Sequence, residues 1–525
     1  MVYFFGMSLV KSAIRFTIDK KILLTVFITG AAVLIIEVTA VRVLSPYFGN
    51  TLYSFSSILS TVLGALSLGY YYGGRWADKD PSEERFYRII LYAGVSVLIL
   101  HVLSLLVVPL LGFTLSLIWG PLISAIILLS APSFLLGMLS PYAIRLLSEK
   151  SDGHSVGKIS GEVFFWSTVG SIGGSLASGF FLIPHFGSDT IILSLAVLLV
   201  MLGIFGMGRP RNAQKTLETV GFLLVAVIIV AFLWQRGMNE RFLVLKDGLY
   251  SQISIYDGTY VGRSTRFFFQ DASAAGAMDI ETGGLAYAYT KYYDVYRVFN
   301  QDIKRALVIG GGIYSVPKEL LEDIPGVFVD VSEIEPELYD LAKEYFGLAD
   351  DPHLKNYIVD GRRFLHDTPH RYDFIFTDAY KSLYSVPVHL TTKEFFELAK
   401  NKLSPGGVFM ANVIGSLAPD TPSFTLSEMK TFRNVFPNSY FFGTESATSH
   451  NPQNLIFVGI NGDEAVDFSD SRVLYDKNPI IRTLEQKLVD VNAIDLSPHI
   501  IFTDRYAPVE YYSANFFRRV AEERK

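Results

Sequence analysis

Ala306-Leu-Val-Ile-Gly-Gly-Gly312 is the stretch on which the fold turns. Four apolar residues in a row read as a strand buried on both faces, and three glycines leave the backbone open to close approach by a ligand. A helix opens over 316–321. The pattern then repeats. Val327-Phe-Val-Asp-Val331 is a second strand, followed by a helix over 336–346. Asn356-Tyr-Ile-Val359 is a third strand, ending in Asp360-Gly361. Tyr372-Asp-Phe-Ile-Phe-Thr377 is a fourth, ending in Asp378. A helix at 392–403 leads through Ser404-Pro-Gly-Gly407 into a fifth strand, Val408-Phe-Met-Ala-Asn412. This alternation predicts a mostly parallel sheet covered by helices. Upstream, residues 246–300 read as short β-strands, with Asp257-Gly258 as a turn signal.

Such sheets bind ligands beyond the carboxyl ends of their strands, and the polar residues fall there. Gly310, Gly311 and Gly312 end the first strand. Glu333 follows the second, where a carboxylate can accept both hydroxyls of a ribose. Asp360 follows the third and can accept an adenine amino group. Asp378 follows the fourth and faces the reacting atoms. One strand-end acid is commonly a cap or a solvated charge; four groups in register point to a nucleoside ligand. Gly310-Gly-Gly-Ile-Tyr-Ser315 lacks the third glycine of the dinucleotide fingerprint, and no phosphate-loop lysine motif is present. That points away from NAD and ATP.

The first half of the chain is of another kind. Seven apolar runs, near 22–44, 52–75, 88–110, 121–145, 161–184, 189–207 and 217–235, have the length of bilayer-crossing helices. Pro121, Pro132 and Pro141 make 113–147 either one kinked span or two short ones. Lys and Arg cluster before the first run and in every second loop, and the loops near 45–52, 111–120 and 185–188 hold none. The positive-inside bias puts the N-terminus in the cytoplasm, and seven spans then put residues 240–525 outside. Gly170, Gly174 and Ser178 form one small-residue row and Gly173 and Ala177 a second, both suited to close helix packing. Glu37, with Arg42 or Arg75 as partner, is either a site, because an ionisable group at that depth needs pairing or water, or one member of an interfacial pair that snorkels to the headgroups.

Composition fits the division. The 525 residues are 50% hydrophobic and only 18% charged, with a mean hydropathy of +0.33, which excludes a disordered chain. There is no cysteine, so thiolate chemistry and disulfides are excluded. Residues 1–239 hold 16 basic and 11 acidic side chains and residues 240–525 hold 29 and 40, which leaves the second half at −11 and unsuited to a nucleic-acid backbone. The nine histidines lack metal-ligand spacing, so no metal is expected.

These runs, with Val331-Ser-Glu-Ile-Glu-Pro336, Val359-Asp-Gly-Arg362 and Leu403-Ser-Pro-Gly-Gly407, resemble the spermidine synthase (polyamine aminopropyltransferase) family over roughly residues 246–465. Pro452-Gln-Asn-Leu-Ile-Phe-Val458 fits the family's downstream strand pair. The N-terminal half, with Val386-Pro-Val-His-Leu-Thr-Thr392 and Thr503-Asp-Arg-Tyr-Ala-Pro-Val-Glu510, resembles the membrane-fused branch of that family. The resemblance implies a multi-pass helical domain at 1–239, a small β-domain at 240–300 and a Rossmann-like, methyltransferase-type domain at 301–525. It implies S-adenosylmethionine or its decarboxylated form as co-substrate, an amine acceptor, and location in the cell membrane; the departures from the family pattern add a lipid-linked acceptor as an alternative. Residue by residue, Gln252, Gly310–Gly312, Glu333, Asp360 and Gly361 would hold the donor, and Asp378 would accept the attacking amine's proton.

Departures accompany the match. Ile313 and Tyr314 stand where the family has an aspartate for the donor's ammonium. Ala379-Tyr-Lys-Ser-Leu-Tyr384 replaces an acidic loop, and Lys381 would repel a cationic diamine. Tyr289-Thr290 lacks the family's histidine. His389 is the histidine of the gating loop, and Asp504 and Glu510 are read as caps or ion-pair partners. Aminopropyl transfer is therefore the leading expectation, with methyl transfer to a lipid or small molecule and a non-catalytic nucleoside sensor as alternatives. A cytosolic donor favours the cytoplasmic face for the second half, against the loop charges. The sequence neither establishes nor excludes a homo-oligomer.

Overall fold

The computed structural model describes residues 2–150, 156–207, 221, 237, 241–271, 273–379, 386–463 and 465–514. The chain forms two compact units, residues 1–240 and 241–525.

The first unit is a bundle of long apolar helices: α1 (Val2–Phe48), α2 (Leu52–Lys79), α3 (Glu83–Thr114), α4 (Trp119–Gly137), α5 (Leu139–Lys150), α6 (Val156–Ala177) and α7 (Ser188–Met207). Among the described residues six segments are long and apolar enough to cross a membrane, consistent with a multi-pass membrane protein. The expected seventh, 217–235, lies outside the described residues except for residue 221. The proline-rich stretch forms one span, Trp119–Lys150, interrupted at Met138 between α4 and α5. Pro141 stands in the first turn of α5, where a missing N–H disrupts little.

Missing side chains set the helix contacts. A Cβ at Gly170 would lie 2.0 Å from the Phe27 carbonyl oxygen, and one at Gly174 2.4 Å from that of Ala31. In return, a Cβ at Gly30 would lie 2.3 Å from the Ser167 carbonyl oxygen. The Ser178 hydroxyl bonds back to Gly174 O at 2.8 Å. Of the two expected small-residue rows, the Gly170–Gly174 row meets α1. Gly173 has nothing within 4 Å of its added Cβ, so the second row does not pack there. The loops on one side are tied by charge. Arg145 pairs with Asp78 at 3.4 Å and Lys150 with Glu83, and Arg75 lies over the Tyr71 ring.

The second unit begins with an antiparallel sheet of β1 (Val244–Asp247), β2 (Gln252–Tyr260), β3 (Arg263–Gln270) and β4 (Ser273–Asp279), paired in chain order. Asp257-Gly258 is not the turn. Both lie inside β2, where Asp257 faces Arg266 across the ladder and accepts from its Nε and Nη2 at 2.7 and 2.8 Å. The chain reverses at Val261-Gly262, both at positive φ.

The larger sheet holds β5 (Arg305–Ile309), β6 (Phe328–Glu333), β7 (Leu354–Ile358), β8 (Tyr372–Thr377), β9 (Leu403–Gly415), β10 (Ser439–Gly443) and β11 (Gln453–Ile460). Its order is β10-β11-β9-β8-β5-β6-β7, parallel from β9 to β7 and antiparallel at the β9–β11–β10 edge. This mixed α/β sheet resembles a Rossmann-like fold. Helices α8 (Ser315–Asp323), α9 (Leu338–Tyr345), α10 (Gly361–Asp367), α11 (Lys393–Lys402) and α12 (Phe424–Val435) pack on it. Leu307, Ile309, Ile375, Phe409 and Phe457 are core on one face, and Val308, Phe374, Phe376, Met410 and Val458 on the other. Both faces are covered, which is why these strands are continuous apolar runs.

Gly170→Leu should drive α1 and α6 apart and lower stability in detergent by about 1–3 kcal/mol, the usual cost of overpacking. Gly173→Leu should leave it unchanged. Thermal unfolding of the two purified variants distinguishes a packed row from an open one.

Candidate functional site

Chain order reverses between β5 and β8, since β6 and β7 lie to one side of β5 and β8 and β9 to the other. The crevice at the carboxyl ends of these two strands is the binding position of a doubly wound sheet. Gly310 and Asp378 leave the sheet on either side of it. The Asp378 N–H still bonds to Ile309 O at 3.0 Å. Gly310 has φ +89, and a Cβ there would lie 2.7 Å from Asp378 O, so glycine is required twice over. A Cβ at Gly311 would strike the Tyr314 ring at 2.8 Å, and one at Gly361 would lie 2.2 Å from Ile309 Cγ2.

Glu333 is buried beneath the glycine turn. One carboxylate oxygen accepts from the N–H groups of Gly311 and Gly312, at 2.8 and 3.1 Å, and the other from Glu335 N–H at 2.8 Å. Burial pushes its carboxyl up, and these backbone donors pull against that shift. Asp360 caps α10 through Arg363 N–H at 3.0 Å and receives His389 Nε2 at 2.7 Å on its other oxygen. Burial raises the Asp360 carboxyl, but the bond to His389 and the backbone donors outweigh it and hold it low. Asp378 lies deeper. Burial pushes its carboxyl up to about 6, against the one opposing bond, from Asn412 Nδ2 at 2.8 Å. Ordinary carboxylates titrate near 4, so this group changes charge where a general base is useful.

The structure thus brings Gly310–Gly312, Glu333, Asp360, Gly361 and Asp378 to one edge of the sheet. Gln252 is less well tied. Its N–H bonds to Asp271 Oδ1 at 3.0 Å, and its side chain makes no hydrogen bond among the described residues. The loop before it is fixed by Glu335, 1% exposed, which accepts from the N–H groups of Leu249, Tyr250 and Ser251 at 2.7, 2.8 and 3.3 Å. Sequence reading gave Glu335 no role, although it stands two residues after Glu333 in a run singled out.

Three further groups gather at the site. His389 approaches Asp360 from the loop before α11. Asp504 accepts both Arg362 Nη atoms, Nη1 at 2.7 Å and Nη2 at 2.5 Å, along with Thr392 Oγ1 at 2.8 Å. Asp504 therefore does form an ion pair, at the rim of the cleft. An open pocket of about 430 Å³ lies beside Asp360, lined by Arg362, Arg363, His366, Glu394 and Leu398. Asn412 and Asn454 stand behind Asp378. Contacts between segments this distant in the chain leave no local sequence signal.

The departures also have places. Tyr314 is fully buried at φ +58, with its hydroxyl on Asn356 Oδ1 at 2.6 Å. Ile313 is 6% exposed. The Tyr289 hydroxyl is pushed well above its usual value by burial and then by the charge of Asp378. Lys381 lies outside the described residues.

A family model for the spermine/spermidine synthase domain matches residues 294–445. The C-terminal unit is spermidine-synthase-like. It is fused to an N-terminal multi-helix region resembling membrane-spanning helices. A polyamine aminopropyltransferase of Vibrio vulnificus is 34% identical over 148 residues, 28% of this chain and 48% of that protein. One from Hamiltonella defensa is 28% identical over 185 residues, 32% of this chain and 62% of that protein. The chain thus spans about half to three-fifths of the length of these two relatives. A solved structure of a probable spermidine synthase from Corynebacterium glutamicum superposes with a TM-score of 0.41 at 20% identity, covering 50% of this chain and 97% of that one.

Asp378→Asn should raise the melting temperature by a few degrees at pH 8. The folded carboxyl titrates near 6 and the unfolded one near 4, so the ionised group destabilises the fold above pH 6. Below about pH 4 both states are protonated and the difference between wild type and variant should vanish. Calorimetric scans across that range read the sign directly.

Proposed function

We propose that the C-terminal unit transfers an aminopropyl group from decarboxylated S-adenosylmethionine to an amine acceptor. The observation that carries this reading is Asp378, a half-buried carboxylate raised to about 6 beside the glycine turn at the switch point of the sheet. The spermidine-synthase match over the same residues supports it. Gly310–Gly312 would admit the donor to the backbone, Glu333 would accept from its ribose hydroxyls, and Asp360 would accept from its adenine amine. Gly361 keeps α10 close to β5, and Gln252 would close the donor site from the β-domain. Asp360 Oδ2 is already bonded to His389, so the donor must share that oxygen or displace the imidazole.

The donor supplies a carbon activated by an adjacent sulfonium. The neutral acceptor nitrogen attacks that carbon, the C–N bond forms, and the C–S bond breaks with its electron pair going to sulfur. Methylthioadenosine leaves as a neutral thioether. The proton lost by nitrogen goes to Asp378 and then to solvent. Alignment of donor and acceptor and removal of this proton are the protein's tasks, and no metal is called for.

Methyl transfer from S-adenosylmethionine is the second reading, favoured by one observation. Ile313 and Tyr314, both buried, follow the glycines where a carboxylate would select the decarboxylated donor's ammonium. Calorimetric titration of the purified chain with S-adenosylmethionine, its decarboxylated analogue and methylthioadenosine separates the two. Preference for the analogue, weakened at least about tenfold in Asp360→Ala by loss of a charge-assisted bond, supports aminopropyl transfer. Preference for S-adenosylmethionine moves the assignment to methyl transfer, and no binding overturns both. In turnover, the rate should fall tenfold per pH unit below about 6, and Asp378→Asn should lose about 10²–10⁴-fold.

We place this unit at the cytoplasmic face, where the donor is made. The chain has no cysteine, so one introduced for Tyr475, 84% exposed, gives a label without background. Labelling by an impermeant maleimide in inverted vesicles but not in intact cells is the expected result; the reverse would place the unit outside.

A further inference from the structure

Asn412 ends the fifth strand-run of the sequence and Asn454 sits in the downstream strand pair, and the reading of donor and base uses neither. Both are side-chain amides on the inside of the sheet. Asn412 lies on β9, 1% exposed, one residue beyond Ala411, which pairs with Thr377 of β8. Its Nδ2 donates to Asp378 Oδ1 at 2.8 Å. Its own Oδ1 accepts from Asn454 Nδ2 at 2.9 Å. Asn412 pairs with Ile456 and Asn454 with Ile414, so the two amides are diagonal neighbours on one face of the β9–β11 ladder. Asn454 is anchored in turn, because its backbone carbonyl accepts both the N–H and the hydroxyl of Thr444 at 3.0 Å.

We propose that Asn412 and Asn454 are positioning residues that make Oδ2 of Asp378 the atom that takes the acceptor's proton; this rests on the transfer reading above. The direction of the chain follows from chemistry. An ionised carboxylate only accepts, so the amide face turned to Asp378 must be NH₂. The carbonyl of Asn412 then faces Asn454, which must present its own NH₂. Among the described residues Oδ1 is engaged and Oδ2 accepts no hydrogen bond, which leaves Oδ2 the more basic oxygen. When Oδ2 gains the proton, Oδ1 still accepts and neither amide turns over. The base therefore changes charge without reorganising its surroundings, which is the condition for efficient proton transfer in a buried site. Of the neighbouring groups, Tyr289 is the titratable side chain facing Asp378 among the described residues. It stays neutral across the working range, because burial and the Asp378 charge both raise it.

A purely structural pair of amides, Asn412 buried and Asn454 half-buried, would be served as well by an apolar pair, as Ile414 and Ile456 are beside them. The two roles therefore differ in what a distant change does. Asn454→Asp keeps the shape but cannot donate. The new carboxylate claims the Asn412 NH₂ and turns its carbonyl toward Asp378. Asn412→Ala removes the donor outright. With decarboxylated S-adenosylmethionine and putrescine as probes, both variants should move the acid limb of kcat up from about 6 by about one pH unit. They should lower kcat at pH 5–6 about five- to tenfold, while kcat at pH 8 and KM for putrescine change less than about twofold. Asn454→Gln, which can still donate, should restore the limb. Limbs that stay in place, with only stability or KM altered, would overturn the proposal. If wild type transfers nothing to putrescine, infrared difference spectra against Asp378→Asn still read the carboxyl. A midpoint raised by Asn412→Ala, which adds no charge, sustains the relay although the transfer reading has failed, and one unmoved by that variant overturns it.

Discussion

Everything at the carboxyl edge of the large sheet depends on one backbone contact, that of Gly310 against Asp378. Two parallel strands diverge there, one turning into the glycine loop and the other into Asp378. Their separation is set by a hydrogen bond from Asp378 N–H to Ile309 O and by the absence of a side chain at Gly310. A methyl group at that position would meet a carbonyl oxygen at 2.7 Å and force the strands apart. Gly361 repeats the device from the third strand end, where its missing Cβ lets α10 rest on Ile309. The acids are therefore arrayed around a fixed central strand, and the distances among them are properties of the sheet.

That array holds its carboxylates by opposite means. Glu333 is buried among backbone N–H groups, and Asp360 is held low by an imidazole and a helix start. Asp378 receives a single amide bond and is raised. Asp360 and Asp378 are thus pushed in opposite directions, which suits the first to the acceptor and the second to the base of the transfer we propose.

Much of this was legible in the sequence for a physical reason. A parallel strand buried on both faces is a continuous apolar run, and a residue just past its end must lie at the ligand edge, so Glu333, Asp360 and Asp378 could be placed without coordinates. What could not be read are the pairings between separate segments. His389 with Asp360, Arg362 with Asp504, Glu335 with the 249–251 loop and Asn412 with Asn454 carry no periodic pattern. The Asp257-Gly258 signal failed because a dipeptide that favours turns also suits a strand when its acid finds an arginine opposite. The small-residue rows show the same limit in the helical unit. Gly170 and Gly173 satisfy the same spacing rule, and only the position of α1 decides which one is packed.

The departure after the glycine loop is best understood as packing. Ile313 reaches the small sheet, where a Cβ at Gly276 of β4 would lie 2.9 Å from its Cγ1. Tyr314 is fixed at positive φ, a conformation costly for a bulky residue, and holds it because its ring fills the space beside Gly311 and its hydroxyl reaches Asn356 on β7. These two residues tie the glycine loop to the β-domain by apolar contact and to β7 by a hydrogen bond, where an aspartate would have brought a charge. Neither side chain is free to turn toward a donor without opening that contact. In the transfer we propose, a group that grips the donor's ammonium would therefore come from another segment.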